Sequence, residues 1–158
     1  MTTEVYRAPM RSRRDDVALG ATVARARARG LCGFGGVLHP TPEDVDDAIA
    51  LAAQQYDDRL ARRIARFAEV PADSLVWTRD EDALLWLGRL TGDWRYDSTD
   101  VAAAVDLVHV RPCTWMERPV PHAQVPGAVL ATFGRGGRNF QQIHDATVAE
   151  ESRLIWHG

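Results

Sequence analysis

The sequence predicts an α+β fold, a small curled antiparallel sheet or β-barrel flanked by N-terminal helices. Three observations carry that expectation. Apolar residues recur at helical spacing up to Pro71, and beyond it short β-branched and aromatic runs alternate with turn residues. No repeat or low-complexity tract breaks the 158 residues, a length that suits one domain with a core and is short for two. Residues 12–158 are therefore read as a single domain behind a flexible arm at 1–11.

In the first half, Ser12 followed by Asp15 reads as a capping box. Val17, Ala21, Ala24, Ala28 and Leu31 follow with helical spacing, and Gly30 stops the helix. "LCGFGG" at 31–36 then reads as a glycine loop. Thr41 caps a second helical stretch, with Pro42 in its first turn and Asp44 three residues after the cap. Val45, Ile49, Ala52, Tyr56, Leu60, Ile64 and Phe67 keep a 3.6-residue stripe, predicting one long helix or two broken near Asp57–Asp58. Arg59, Arg62, Arg63 and Arg66 lie on its second half; a wetted outer face is the simpler reading and a grip on DNA the second.

In the second half, "SLVWTR" (74–79), the turn "DED" (80–82) and "LLWLGRLTGDWRY" (84–96) predict a hairpin whose second strand contains Gly88 and Gly92. "STDVAAA" is a loop or single helical turn, and "DLVHVRPCTWMERPV" (106–120) a strand bent at Pro112. A short apolar segment, "VPGAVLATF", precedes "RNFQQIHD", read as a helical turn or two, and "RLIWHG", a terminal strand or helix end.

Composition bounds the function. Hydrophobic content of 46% and charge of 26% are ordinary for a globular protein. No apolar run approaches the ~20 residues of a membrane span, and "MTTEVYRAPMRSRRDD" lacks an apolar signal core, so a cytoplasmic protein without membrane attachment is expected. Cys32 and Cys113 are far apart, with no CxxC and no neighbouring His at ligand spacing, which argues against a disulfide or a zinc site. The net charge of −3 makes no global case for nucleic acid. All 19 basic residues are Arg, for which coding bias is the simplest account. Their distribution says more: residues 40–58 hold six acids and no Arg, whereas 107–144 hold Arg111, Arg118, Arg135 and Arg138 against Glu117 alone. A basic face of that kind suits phosphate contact or an ordinary solvated surface.

No GxSxG, P-loop or GxGxxG in a βαβ setting is found, and Asp80, Glu81 and Asp82 fall in a turn that faces water. No catalytic residue, metal or cofactor is assigned. A small hydrolase using Cys32 is kept as an alternative, and a module whose Arg-rich helix docks a protein as another. The aromatics point elsewhere. Trp77, Trp86, Trp94, Trp115 and Trp156 are many for this length, and core packing accounts for at least two of them. A pocket for a planar base also wants an aromatic wall, worth ~1–3 kcal/mol per stacked base. It wants backbone free to approach closely as well, which glycine permits. Cys32, Gly33, Phe34, Gly35 and Gly36 would form one lip of such a pocket, with Trp77, Thr78, Arg79 and Trp94 as its wall. Arg135 and Arg138 would clamp phosphates, with Gly136, Gly137 and Asn139 beside them.

The ordered segments Val76–Arg79, Leu87–Leu90, Val105–Val120 and Gly134–Phe140 resemble the EVE-like branch of the PUA superfamily, the group that includes YTH, ASCH and SRA-type readers. The resemblance spans about half the chain. It implies a small barrel with flanking helices that takes a flipped, modified base into a concave pocket. Trp77, Thr78 and Arg79 would stand at its mouth, and Arg135 and Arg138 in the backbone-gripping loop. The family's N-terminal tryptophan signature is absent, and the helical stretch 41–69 is longer. The function so implied is a non-catalytic reader of 5-methylcytosine in duplex DNA, working with a nuclease or restriction partner. An RNA reader or RNA-processing accessory of the same fold is the alternative.

Overall fold

A computed structural model describes residues 3–158 and shows an α+β fold on a strongly curled, half-barrel sheet. The first strand, β1 (Val5–Arg7), leads through a long buried-then-exposed segment to α1 (Ala21–Arg29) and β2 (Leu31–Phe34). Two helices follow, α2 (Val45–Gln55) and α3 (Asp58–Glu69), then β3 (Leu75–Arg79), β4 (Leu85–Leu90), β5 (Arg95–Tyr96) and α4 (Asp100–Ala104). The chain closes with β6 (His109–Trp115), α5 (Gly127–Gly134), β7 (Gln141–Gln142) and α6 (Val148–His157). The strand order is β2-β6-β4-β3-β1-β7, with β5 also on β6.

The sheet is mixed. β1 lies parallel to β3, pairing Val5 with Leu75 and Arg7 with Trp77, while the other pairings are antiparallel. A parallel neighbour needs a crossover, and the α1–α3 half of the chain supplies it. The arm expected at 1–11 is thereby corrected for its described part; residues 1–2 lie outside the described residues. Val5, Tyr6, Ala8 and Met10 are buried, and β1 bonds to a strand on each side, so this segment is interior sheet.

Three further expectations change. Residues 31–34 are a strand paired to β6, not a loop; Gly33 is required there because a Cβ would collide with the His109 carbonyl across the pair. The first helix begins at Ala21, since the Ser12 hydroxyl donates to Asp106 (2.6 Å) instead of capping a helix. The second helical stretch breaks where expected: Asp57 caps α3 by accepting from the Leu60 N–H (2.8 Å). Asp44, not Thr41, caps α2.

Strand alternation divides the core. Val5, Leu75, Trp77 and Leu87 pack against α5 and α6, with Val129, Phe133 and Val148. Tyr6, Val76 and Leu90 face the other way, against α1 and β2. Phe34 joins this body to the α2–α3 hairpin through Leu60, Ile64 and Phe67.

Candidate functional site

Positive charge is concentrated on one side of α3. Arg59, Arg62, Arg63 and Arg66 stand at i, i+3, i+4 and i+7, so they share one helix face. That face fronts a depression of about 200 Å³ closed on its far side by Asn139, Phe140 and Gln141. Through Arg59 and Arg63 it runs into a cavity of about 160 Å³. Through Arg66, Phe140 and Gln141 it runs the other way into a wider cavity of about 620 Å³. Together they form one groove. Arg11, Arg13 and Arg138 reach its smaller end from distant parts of the chain.

Among the described residues, none of Arg11, Arg13, Arg59, Arg62, Arg63, Arg66 and Arg138 makes an ion pair. Burial, and then the charge of Arg13, hold Arg63 below the usual arginine range. Clustered cations without carboxylate partners destabilise one another, and a bound anion relieves that.

The 160 Å³ cavity is built from Phe34, Gly35, Gly36, Tyr56, Leu60 and Asp106 under the arginine rim. It lies below the ~300–1,000 Å³ of drug-sized sites, so it suits one flat ring. Its polar floor is Asp106, a nearly buried residue in the left-handed region (φ 54°). One Asp106 oxygen accepts from the Gly36 N–H (3.1 Å) and the other from Ser12 Oγ (2.6 Å). Each retains a lone pair, so a ligand N–H can be accepted as well. Gly35 makes room for this carboxylate, because a Cβ there would overlap it. Behind them His109 Nε2 lies 2.9 Å from the Gly36 carbonyl, and burial pushes the His109 pKa down to about 4. The imidazole is therefore neutral and donates from Nε2.

The opposite wall is held by Arg7. Its guanidinium donates to the carbonyls of Thr132 (3.1 Å), Gly136 (2.9 Å) and Asn139 (3.2 Å). Arg13 Nη2 donates to Asn139 Oδ1 (3.0 Å). β7 then pairs with β1, so the 136–142 segment is pinned along the groove.

The structure redistributes the expected site residues. Gly35, Gly36, Phe34 and Arg138 line the same cavity, although a hundred residues of sequence separate the two loops. Asn139 lines the adjoining depression. Cys32 and Gly33 do not reach it, being interior positions of β2. Trp77 and Thr78 are fully buried; the indole donates to Ser152 Oγ (3.0 Å), so it is core and not a pocket wall. Arg79 lies over Phe133 in a separate shallow depression with Gly136 and Gly137. Trp94 opens on a different face, beside Pro42 and Val45. Arg135 is exposed and lines none of the three groove compartments. Trp86 and Trp115 are also structural, donating to Asp80 Oδ2 and the Leu31 carbonyl.

Cys32, the nucleophile of the alternative hydrolase, lies in the interior of β2. The thiol is buried and burial pushes its pKa up to about 12, so it holds almost no thiolate at neutral pH. No helix among the described residues is long and apolar enough to cross a membrane. The residues that the sequence did not single out are Arg7, Arg11, Arg13 and Asp106. The α3 arginines carried a signal: Arg59/Arg63 and Arg62/Arg66 are like-charge i,i+4 pairs. No family model and no curated protein matches this chain.

Proposed function

We propose that the groove binds nucleic acid, with phosphates on the arginines of α3 and one base turned into the 160 Å³ cavity. The observation that carries this is the convergence of unpaired arginines from residues 11–13, 59–66 and 138 on one recess with an aromatic-and-glycine cavity at its end. Phe34 and Tyr56 flank the ring, the Gly35–Gly36 backbone lets it approach, and Asp106 accepts from an amino group on its edge. Such an edge belongs to cytosine, adenine and guanine, whose exocyclic amines are donors. The resemblance to EVE-like readers makes a modified base in DNA, 5-methylcytosine first, the ligand to test. RNA is the second, and a nuclease is the partner that a non-catalytic reader of this kind would serve.

Fluorescence anisotropy on the full chain tests it, using methylated and unmethylated duplexes, their single strands and the matching RNA. Binding that weakens with salt, prefers the modified base and is lowered about tenfold by Asp106→Asn supports the reading. Equal and negligible binding to every oligonucleotide overturns it.

A further inference from the structure

The wide end of the groove remains to be explained. This cavity of about 620 Å³ lies beyond the α3 arginines, at the opposite end from Asp106. Its floor is aromatic: Tyr6 and Phe140 stack with ring centroids 4.9 Å apart and planes 12° from parallel. Tyr6 is buried and held by Glu4, whereas Phe140 keeps a partly exposed surface that also lines the arginine depression. The polar rim comes from the exposed side chains of Glu69, Gln141, Gln142 and His144, with Arg66 at the junction. Amides and an imidazole supply both donors and acceptors, the chemistry that reads a base edge. A rigid aromatic floor, a hydrogen-bonding rim and a cation between this cavity and the first make the combination found where single strands are held.

We infer that this cavity is a second nucleobase site and that the groove holds a single strand along α3, one base at Asp106 and another on Phe140. The inference rests on the nucleic-acid reading above and deepens it. Arg59 and Arg66 are seven residues apart, so the helix carries the strand about 10 Å, roughly three steps of a stacked strand. About four nucleotides therefore reach from one cavity to the other. The groove is walled on both sides, by α3 and by residues 139–141, so the segment lying in it is unpaired.

Length-dependent binding tests this. Anisotropy or calorimetry with a mononucleotide and with oligomers of two, three, four and six nucleotides, as DNA and as RNA, should show affinity rising at least tenfold by about four nucleotides and little thereafter. In Phe140→Leu, which keeps an apolar side chain against Tyr6 and Phe67, the ratio of tetranucleotide to mononucleotide affinity should fall to about two. Gln142→Ala, at an exposed edge position, should reduce the same ratio about threefold, and its unchanged urea midpoint would exclude a folding defect. A ratio that stays near one in the native chain overturns the second site, as does a ratio that both variants leave intact. If no oligomer, duplex or single strand binds, the nucleic-acid reading itself has failed. Mononucleotide or flipped-base binding without a length gain defeats only the second site.

Discussion

Asp106 shows how much one residue decides. It takes a left-handed backbone conformation, fits against a position that only Gly35 leaves open, and bonds to Gly36 and Ser12. A side chain at Gly35 must therefore displace the carboxylate. Gly35→Ala is expected to lose about 1–3 kcal/mol in urea denaturation and to weaken single-base binding together with it. His109 gives a second expectation at this scale. The folded imidazole stays neutral down to about pH 4, while an unfolded histidine takes its proton near 6.5. Between those values the unfolded chain binds more protons, so stability is full above about pH 6.5 and falls as pH drops towards 4, by about 3 kcal/mol. Urea midpoints at pH 7 and pH 4.5 should differ more for the native chain than for His109→Gln. Identical differences would show that this imidazole does not carry the acid sensitivity.

At the scale of elements, Arg111 fastens α3 to the sheet. It is a buried residue of β6 and donates to the carbonyls of Phe67 (2.9 Å), Val70 (2.6 Å) and Gly92 (2.8 Å). The first two belong to the end of α3, where a cation also meets the negative pole of the helix. Arg111→Met removes three charge-assisted hydrogen bonds to main-chain carbonyls and should lower stability by about 3 kcal/mol, read from the denaturation midpoint. Because α3 carries the groove arginines, oligonucleotide affinity should fall in the same variant. Local signals were legible for this element: its stripe and the place of its break from α2 are in the sequence, whereas the Asp57 cap is a finding of the structure. β7 was not. Gln141–Gln142 has no strand propensity of its own and is extended because β1 offers a free edge. α5 and α6 were likewise blurred, since short apolar segments fit a strand or a helix until their packing partner is known.

Over the whole molecule, a net charge of −3 repels phosphate at long range while the groove attracts it locally. Binding should therefore be strongly salt-dependent. A plot of log Kd against log salt should lose about 0.7–0.9 of slope for each of Arg62→Gln and Arg66→Gln, the value for one phosphate contact. An unchanged slope in the double variant would place the bound strand elsewhere. The curled sheet also explains why Trp77 is core and not a pocket wall. Trp77 lies on the strand face covered by α5 and α6, and which face a helix covers is not written in strand alternation.

By itself the sequence determined the α+β class, the helical stripe of α2 and α3 with a break near Asp57–Asp58, the hairpin, and the run of arginines on α3. It also placed a glycine where the Asp106 carboxylate packs, at residue 35, and glycines where the backbone takes a positive φ, at 36 and 136–137. Only the tertiary structure decided which of these meet. β1 enters the sheet between β3 and β7, and that single docking carries Arg11 and Arg13 to the mouth of the cavity and lays residues 138–142 alongside α3. Local propensity acts over a few residues, whereas the groove is closed by contacts between segments more than a hundred residues apart, which hydrophobic burial and strand pairing select only in the folded chain.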